Sequence, residues 1–182
     1  MVTLRYLAGG QVEWVFGEME SDAAAAAEYD LMGNGYLAFD NGVRSYLRGL
    51  PCGAASWDLA VIGTEGRVRS VAGALEFELT QMHPGGPRGS GLPARIPFPW
   101  PKHMQGMGLT IVEDLIAAIE TGRAPRCSGD DGLKALEIAL ALRESHRRGG
   151  TRVQLPLEDR SLGTVSYTHL RAHETEAALV CR

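Results

Sequence analysis

Cysteine is scarce: three residues, Cys52, Cys127 and Cys181, lie far apart along the chain. An odd, scattered set reads neither as a disulfide framework nor as a CxxC metal pair, and a reducing, cytoplasmic setting suits it best. Long apolar runs are missing as well. None approaches the roughly 18 residues that a membrane-spanning helix requires, and no signal-peptide core follows the early Arg5. Charge of one sign is not in excess either. The net charge is −4 and the sequence pI is about 5.7, which provides no electrostatic footprint for nucleic acid or an anionic membrane.

What remains is an ordinary globular composition, 45% hydrophobic and 22% charged over 182 residues. That length suits one domain or a large piece of a two-domain protein. It is enough to bury about two thirds of the unfolded surface. The 23 glycines predict many tight turns and hence a hairpin-rich sheet. Met1 to Ala8 has helical character and stops at Gly9-Gly10. Val12, Trp14 and Phe16 alternate within a strand over Gln11–Met19. Ser21 to Asp30 carries an alanine run, Ala23 to Ala27, without a large apolar anchor. It reads as an exposed loop or a marginal helical turn.

Two hairpins follow. Gly35 to Phe39 and Val43 to Leu47 flank Asp40-Asn41-Gly42, a turn sequence that supplies the positive φ a tight hairpin needs. Ser56 to Ile62 and Arg67 to Val71 flank Gly63 to Gly66. Leu75, Phe77 and Leu79 alternate with Glu76 and Glu78 in a half-buried strand. His83 to Pro101 is rich in Pro and Gly and reads as one long surface loop. Two helices close the domain. Met107 to Thr121 carries Val112, Leu115, Ile116 and Ile119 on one face and ends at Gly122. The second starts at Ser128 as N-cap and runs to about Arg148, with Leu133, Leu136 and Leu140 as its apolar stripe, widened by Ile138 and Leu142. A last strand covers Thr151 to Leu155. Strands followed by helices predict an α+β fold: an open, mainly antiparallel β-sheet with helices packed on one face.

From about Thr164 the texture changes, and Val165 to Arg182 resembles translated sequencing-adapter read-through. The domain is therefore set at 1–163 and 164–182 is excluded as a non-native tail. The tail's His169 and His173 share the i, i+4 spacing of a metal pair, but the Glu of HExxH and a third ligand are missing, so no metal site is read there.

Four stretches carry a resemblance to the C-terminal domain of Gfo/Idh/MocA-type nicotinamide-dependent oxidoreductases. They are the hairpin Gly35 to Val43, the Gly-Thr-x-Gly hairpin of Ile62 to Val68, the helix–Pro turn–helix run Leu115 to Pro125 with Cys127 to Leu136, and Ala141 to Ser145 with Gly150 to Pro156. Each match is short; order and spacing over roughly Leu4 to Leu162 make the set specific. The resemblance implies an N-terminal Rossmann domain, absent from this chain, joined to a sheet domain that shapes the substrate site and the oligomer interface. It implies NAD or NADP as cofactor of the intact parent and a sugar, cyclitol or related polyol as substrate. It also implies a second copy of the chain bound through the sheet face.

No catalytic residue carries over. The family's Glu-Lys-Pro tripeptide does not occur, and its Asp and His would lie upstream of Met1, where the helical stub Leu4 to Ala8 begins too late to include them. Gly33-Asn-Gly-Tyr-Leu-Ala38 spells GxGxxA but enters a strand and a hairpin, not a helix, so no cofactor site is read there. The chain alone is expected to be inactive and to bind no cofactor. The alternative is a non-enzymatic ligand-binding or dimerisation module.

The residues that remain for substrate contact lie in or beside the Pro-rich loop: His83, Arg95, Trp100, Lys102 and His103. Lys and His can hydrogen-bond hydroxyls, and Trp can stack on a pyranose face. A solvated loop with one Trp anchor is the competing reading, and the one favoured. Asp130-Asp131 reads as helix-start stabilisation and not as a catalytic pair. Cys127 has no His near it in sequence to act as a base. Ser145 and His146 are adjacent on a helix and point apart. Trp14, Phe16 and Trp57 are assigned to core or sheet-face packing.

Overall fold

The computed structural model describes residues 1–20, 32–49, 58–71, 76–82, 93–100 and 106–159. The alanine run of 21–30, Trp57, His83, Lys102, His103 and the tail from 164, with its histidine pair, lie outside the described residues. The elements in chain order are α1 (Val2–Ala8), β1 (Val12–Glu20), β2 (Met32–Phe39), β3 (Arg44–Arg48), β4 (Ala60–Ile62), β5 (Gly66–Val71), β6 (Glu76–Met82), β7 (Pro93–Ile96), α2 (Met107–Thr121), α3 (Gly129–Arg147) and β8 (Val153–Gln154). The class is the expected one, α+β with open antiparallel sheets. The strands are shared between two sheets, of order β3-β2-β1-β8 and β4-β5-β6-β7. The chain divides into two compact units, 1–50 with 124–182 and 51–123.

In the first unit, the turn Asp40-Asn41-Gly42 joins β2 to β3. Gly42 takes φ +88°, a conformation costly for residues with a Cβ. The same turn is tied to the end of α1: Asn41 Nδ2 donates to the Ala8 carbonyl at 2.7 Å, and the Gln11 N–H donates to Asp40 Oδ1 at 3.0 Å. A β-bulge between Val12 and Trp14 shifts the alternation of β1. Val12 and Val15 are thereby both buried although three positions apart.

Helix α3 lies across the inner face of this sheet. It starts in a reciprocal capping box: the Asp131 N–H donates to Ser128 Oγ, and the Ser128 N–H donates to Asp131 Oδ2. Its buried residues are Ala135, Ile138, Ala141, Leu142 and Ser145. Of the expected stripe, Ile138 and Leu142 are buried and Leu140 packs against the core, but Leu133 and Leu136 are exposed. The reason is how closely the helix sits on the strands. A Cβ on Gly17 of β1 would overlap the Leu142 carbonyl oxygen, and one on Gly35 of β2 would fall 2.5 Å from Leu142 Cδ2. Small residues on the helix meet glycines on the sheet, while Ile138 and Leu142 fill the space against Val15, Leu37, Phe39, Val153 and Leu157. Burying each large member of this core contributes roughly 1.5–3 kcal/mol.

Ser145 is fully buried and serves the sheet. Its hydroxyl accepts the Gly17 N–H at 2.9 Å and donates to the Thr151 carbonyl at 2.5 Å. β8 pairs with β1 only at Trp14 and Val15, so the hydroxyl satisfies the next edge donor of β1. Arg5, buried to 8% exposure, binds the Asp131 carbonyl and carboxylate and Gln11 Oε1, each at 3.3 Å. This fastens α1 to the start of α3.

In the second unit, β4 and β5 form the expected hairpin, closed by the Gly63 N–H donating to the Gly66 carbonyl at 2.8 Å. The stretch read as one loop contains a strand: β7 pairs with β6 through Leu79–Ile96, Thr80–Arg95 and Gln81–Ala94. Pro93 opens that strand and β7 is at the sheet edge, where a residue lacking an N–H costs no ladder bond. α2 ends at Gly122, φ +69°, as expected. Its stripe of Val112, Leu115, Ile116 and Ile119 is exposed.

The packing of the first unit is open to two tests. Gly17→Ala is expected to destabilise the chain by about 1–3 kcal/mol, because neither the strand nor the helix backbone can give way cheaply. An unchanged urea midpoint would show that α3 does not sit this close. Asp131 titrates below its ordinary 3.8, held down first by the Ser128 N–H, then by the Ser128 hydroxyl and by Arg5, with burial opposing. Because its folded-state value is the lower one, its stabilisation is present above 3.8 and is lost as pH falls through that lowered value. The stability gap between wild type and Asp131→Asn is therefore expected to close in urea titrations below about pH 4.

Candidate functional site

With α3 covering one face of the first sheet, the side chains between the core positions point to the other. The strand register sets them in rows. Tyr36 of β2 lies opposite Phe16 of β1 and Tyr46 of β3, and Trp14 lies opposite Gln154 of β8. Trp14 and Tyr36 stack with centroids 5.2 Å apart and planes at 23°. Tyr46 meets Tyr36 edge-on at 5.0 Å. The Arg152 guanidinium lies over the Trp14 ring, 4.2 Å from its centroid, a cation–π contact. Tyr46 is 79% exposed and Phe16 41%.

Together these side chains line an open groove of about 1100 Å³. Its charged residues, among those described, are Arg44, Arg48, Arg152 and Glu18. Arg44 is turned onto the hairpin, donating to the Phe39 and Val43 carbonyls at 3.1 and 2.9 Å. The arrangement can stack flat apolar surfaces and hold anionic groups. Among the described residues it contains no nucleophile–base pair, and no cluster of His, Cys, Asp or Glu there could hold a metal ion.

Of the substrate candidates named from sequence, Arg95 and Trp100 are among the described residues. Arg95 is in β7, exposed, with its guanidinium 3.2 Å from Glu78 Oε1. Trp100 is 44% exposed and packs edge-on against Phe77 and Phe98 at 5.5 and 5.2 Å, while those two rings stack at 4.9 Å. Both belong to the second unit, and among the described residues no hydrogen bond or ring contact joins them. His83, Lys102 and His103 lie outside the described residues.

Other sequence assignments meet the structure directly. Asp131 is the capping-box carboxylate and Asp130 sits beside it in the first turn of α3. Cys127 is an exposed free thiol. Ser145 is buried in its sheet contacts while His146 is exposed. Trp14 and Phe16 are sheet-face residues. Sequence reasoning passed over Tyr36, Tyr46, Arg44 and Arg152; the only signal was that Tyr36 and Arg152 each adjoin a buried residue and that Arg44 and Tyr46 alternate with half-buried ones.

The glycine run 33–38 does not have the geometry of a dinucleotide cradle. It lies in β2, paired on one side with β1 and on the other with β3. Its amides belong to an antiparallel ladder, and no helix N-terminus follows to receive a pyrophosphate. Gly35 instead makes room for Leu142.

No protein-family model and no curated protein matches the chain. Solved structures do. An aldose-aldose oxidoreductase from Caulobacter crescentus, complexed with glycerol, is 26% identical with a TM-score of 0.66, over 85% of this chain and 44% of that one. The WlbA dehydrogenase from Bordetella pertussis, in complex with NADH and UDP-GlcNAcA, is 19% identical with a TM-score of 0.61, over 86% and 42%. An NAD binding oxidoreductase from Klebsiella pneumoniae is 18% identical with a TM-score of 0.64, over 87% and 48%. The chain thus spans less than half the length of each. The shared architecture is that of part of a Gfo/Idh/MocA-like oxidoreductase superfamily.

Proposed function

We propose that the chain is the substrate-side and oligomerisation portion of an NAD(P)-dependent oxidoreductase of the Gfo/Idh/MocA type, acting on a sugar, cyclitol or related polyol. The observation that carries this reading is the pairing of architecture with partial coverage. The sheet β3-β2-β1-β8 with α3 laid on it belongs to a fold that aligns over 85% of this chain but 44% of an aldose-aldose oxidoreductase. The sugar-related substrate class rests on that relative and on the nucleotide sugar bound by the dehydrogenase from Bordetella pertussis. The partner portion is a Rossmann domain that supplies the cofactor site and the catalytic residues. Hydride transfer needs both, so this chain by itself has no dehydrogenase activity. Arg95 and Trp100 stay candidates for substrate contact, with His83, Lys102 and His103. We place the protein in the cytoplasm, a reading with which the exposed free thiol of Cys127 agrees. The segment 164–182 is read as foreign to the domain.

Self-association through the open face of the first sheet is part of the same proposal. Exposed Tyr46 and Phe16, next to the Trp14–Tyr36 stack, present the aromatic-rich surface typical of interface cores. The groove also favours a second reading, a ligand-binding or dimerisation module without catalysis.

Two measurements test this. Titrating the purified chain with NADH is expected to leave the nicotinamide fluorescence changing only linearly with concentration; a saturable change would refute the division of labour. Sedimentation equilibrium is expected to show a concentration-dependent dimer, weakened about tenfold or more by Tyr46→Arg, the loss of roughly one well-packed aromatic contact. A monomer at every concentration would remove the sheet face from the account.

A further inference from the structure

Among the described residues, the groove on the open face carries more positive than negative side chains. Arg44, Arg48 and Arg152 line it, and among the described residues Glu18 is the one carboxylate lining it. The arginines are not spent on that carboxylate: among the described residues no ion pair joins Glu18 to any of them. Arg152 is laid on Trp14 and Arg44 on two hairpin carbonyls, so both cations are fixed on the face. Arg48, exposed, stands on the same strand as Arg44, across from Asn34. A two-fold contact sets a surface against itself. Here it would set an arginine-rich face against another, and juxtaposed like charges oppose association.

Apolar stacking favours the contact that the cations resist. An anion between the faces would offset that repulsion. Guanidinium groups bind tetrahedral oxyanions through paired, charge-assisted hydrogen bonds. A groove of about 1100 Å³ leaves room for one beside the aromatic rings. We infer that two copies associate through this face around a multivalent oxyanion of the phosphate type, either free or carried on a small sugar, held by arginines of both copies. This rests on the sheet-face self-association proposed above.

The test is sedimentation equilibrium of the full chain in sodium chloride, in inorganic phosphate and in glucose 1-phosphate, all at equal ionic strength. The dimer dissociation constant is expected to fall about tenfold or more in phosphate, the scale of one or two additional charge-assisted hydrogen bonds. Arg48→Gln combined with Arg152→Gln, with an unchanged circular dichroism spectrum, is expected to abolish that difference. Glu18→Gln is expected to enlarge it. An equal effect of glucose 1-phosphate supports recognition of the phosphoryl group wherever it is carried. An effect of phosphate alone supports the free ion. A dimer equally tight in chloride and phosphate, and weakened by Tyr46→Arg, overturns the bridging anion and leaves the sheet-face interface standing. A monomer in all three solutions overturns both.

Discussion

The close seating of α3 on β1 and β2 is the constraint on which the rest of the first unit depends. It works because Gly17 and Gly35 give up their side chains where Leu142 crosses them, and because Ala135, Ala141 and Ser145 keep that face of the helix thin. Contact at this distance lets one serine hydroxyl replace a missing strand partner. Ser145 reaches the Gly17 amide beyond the end of β8 and at the same time ties down Thr151. A bulkier helix face would lift α3 away and leave that buried amide unsatisfied, at a cost of about 1–3 kcal/mol.

One face of the sheet is thereby committed to the core and the other is left open. Alternation does the sorting. Leu37 and Phe39 go inward, Tyr36 goes outward, and the bulge after Val12 resets β1 so that Trp14 and Phe16 join the outer rows. The α1 helix is held by the Arg5–Asp131 pair against the capping box of α3. The first and last of the described elements, α1 and β8, are thus anchored to the same helix and sheet.

Local signals were legible in the sequence; distant ones were not. The Asp40-Asn41-Gly42 turn, the Ser128 cap and the Gly122 stop each rest on a few neighbouring residues with a fixed conformational need, and each is where expected. Ile138 and Leu142 are on the buried face as expected, but Leu133 and Leu136 were wrongly assigned to it because they outrank Ala and Ser in hydrophobicity. Packing against glycine strands selects size instead, and the glycines lie about a hundred positions or more away in the chain. β7 was missed for a similar reason: Pro93 and Pro97 mark a loop locally, while the ladder to β6 is a tertiary fact. The aromatic and arginine groove draws on residues scattered from Trp14 to Arg152. No window of sequence contains it.

The functional account turns on what β2 is used for. The strand carrying the glycine run is spent on two ladders and on Leu142, so that run does not cradle a dinucleotide. Amide chemical shifts of the isotope-labelled chain titrated with NAD⁺ test this at the residues concerned. The account predicts that Gly33, Asn34, Gly35, Tyr36, Leu37 and Ala38 keep their shifts up to millimolar cofactor. Saturable shifts centred on those amides would contradict it.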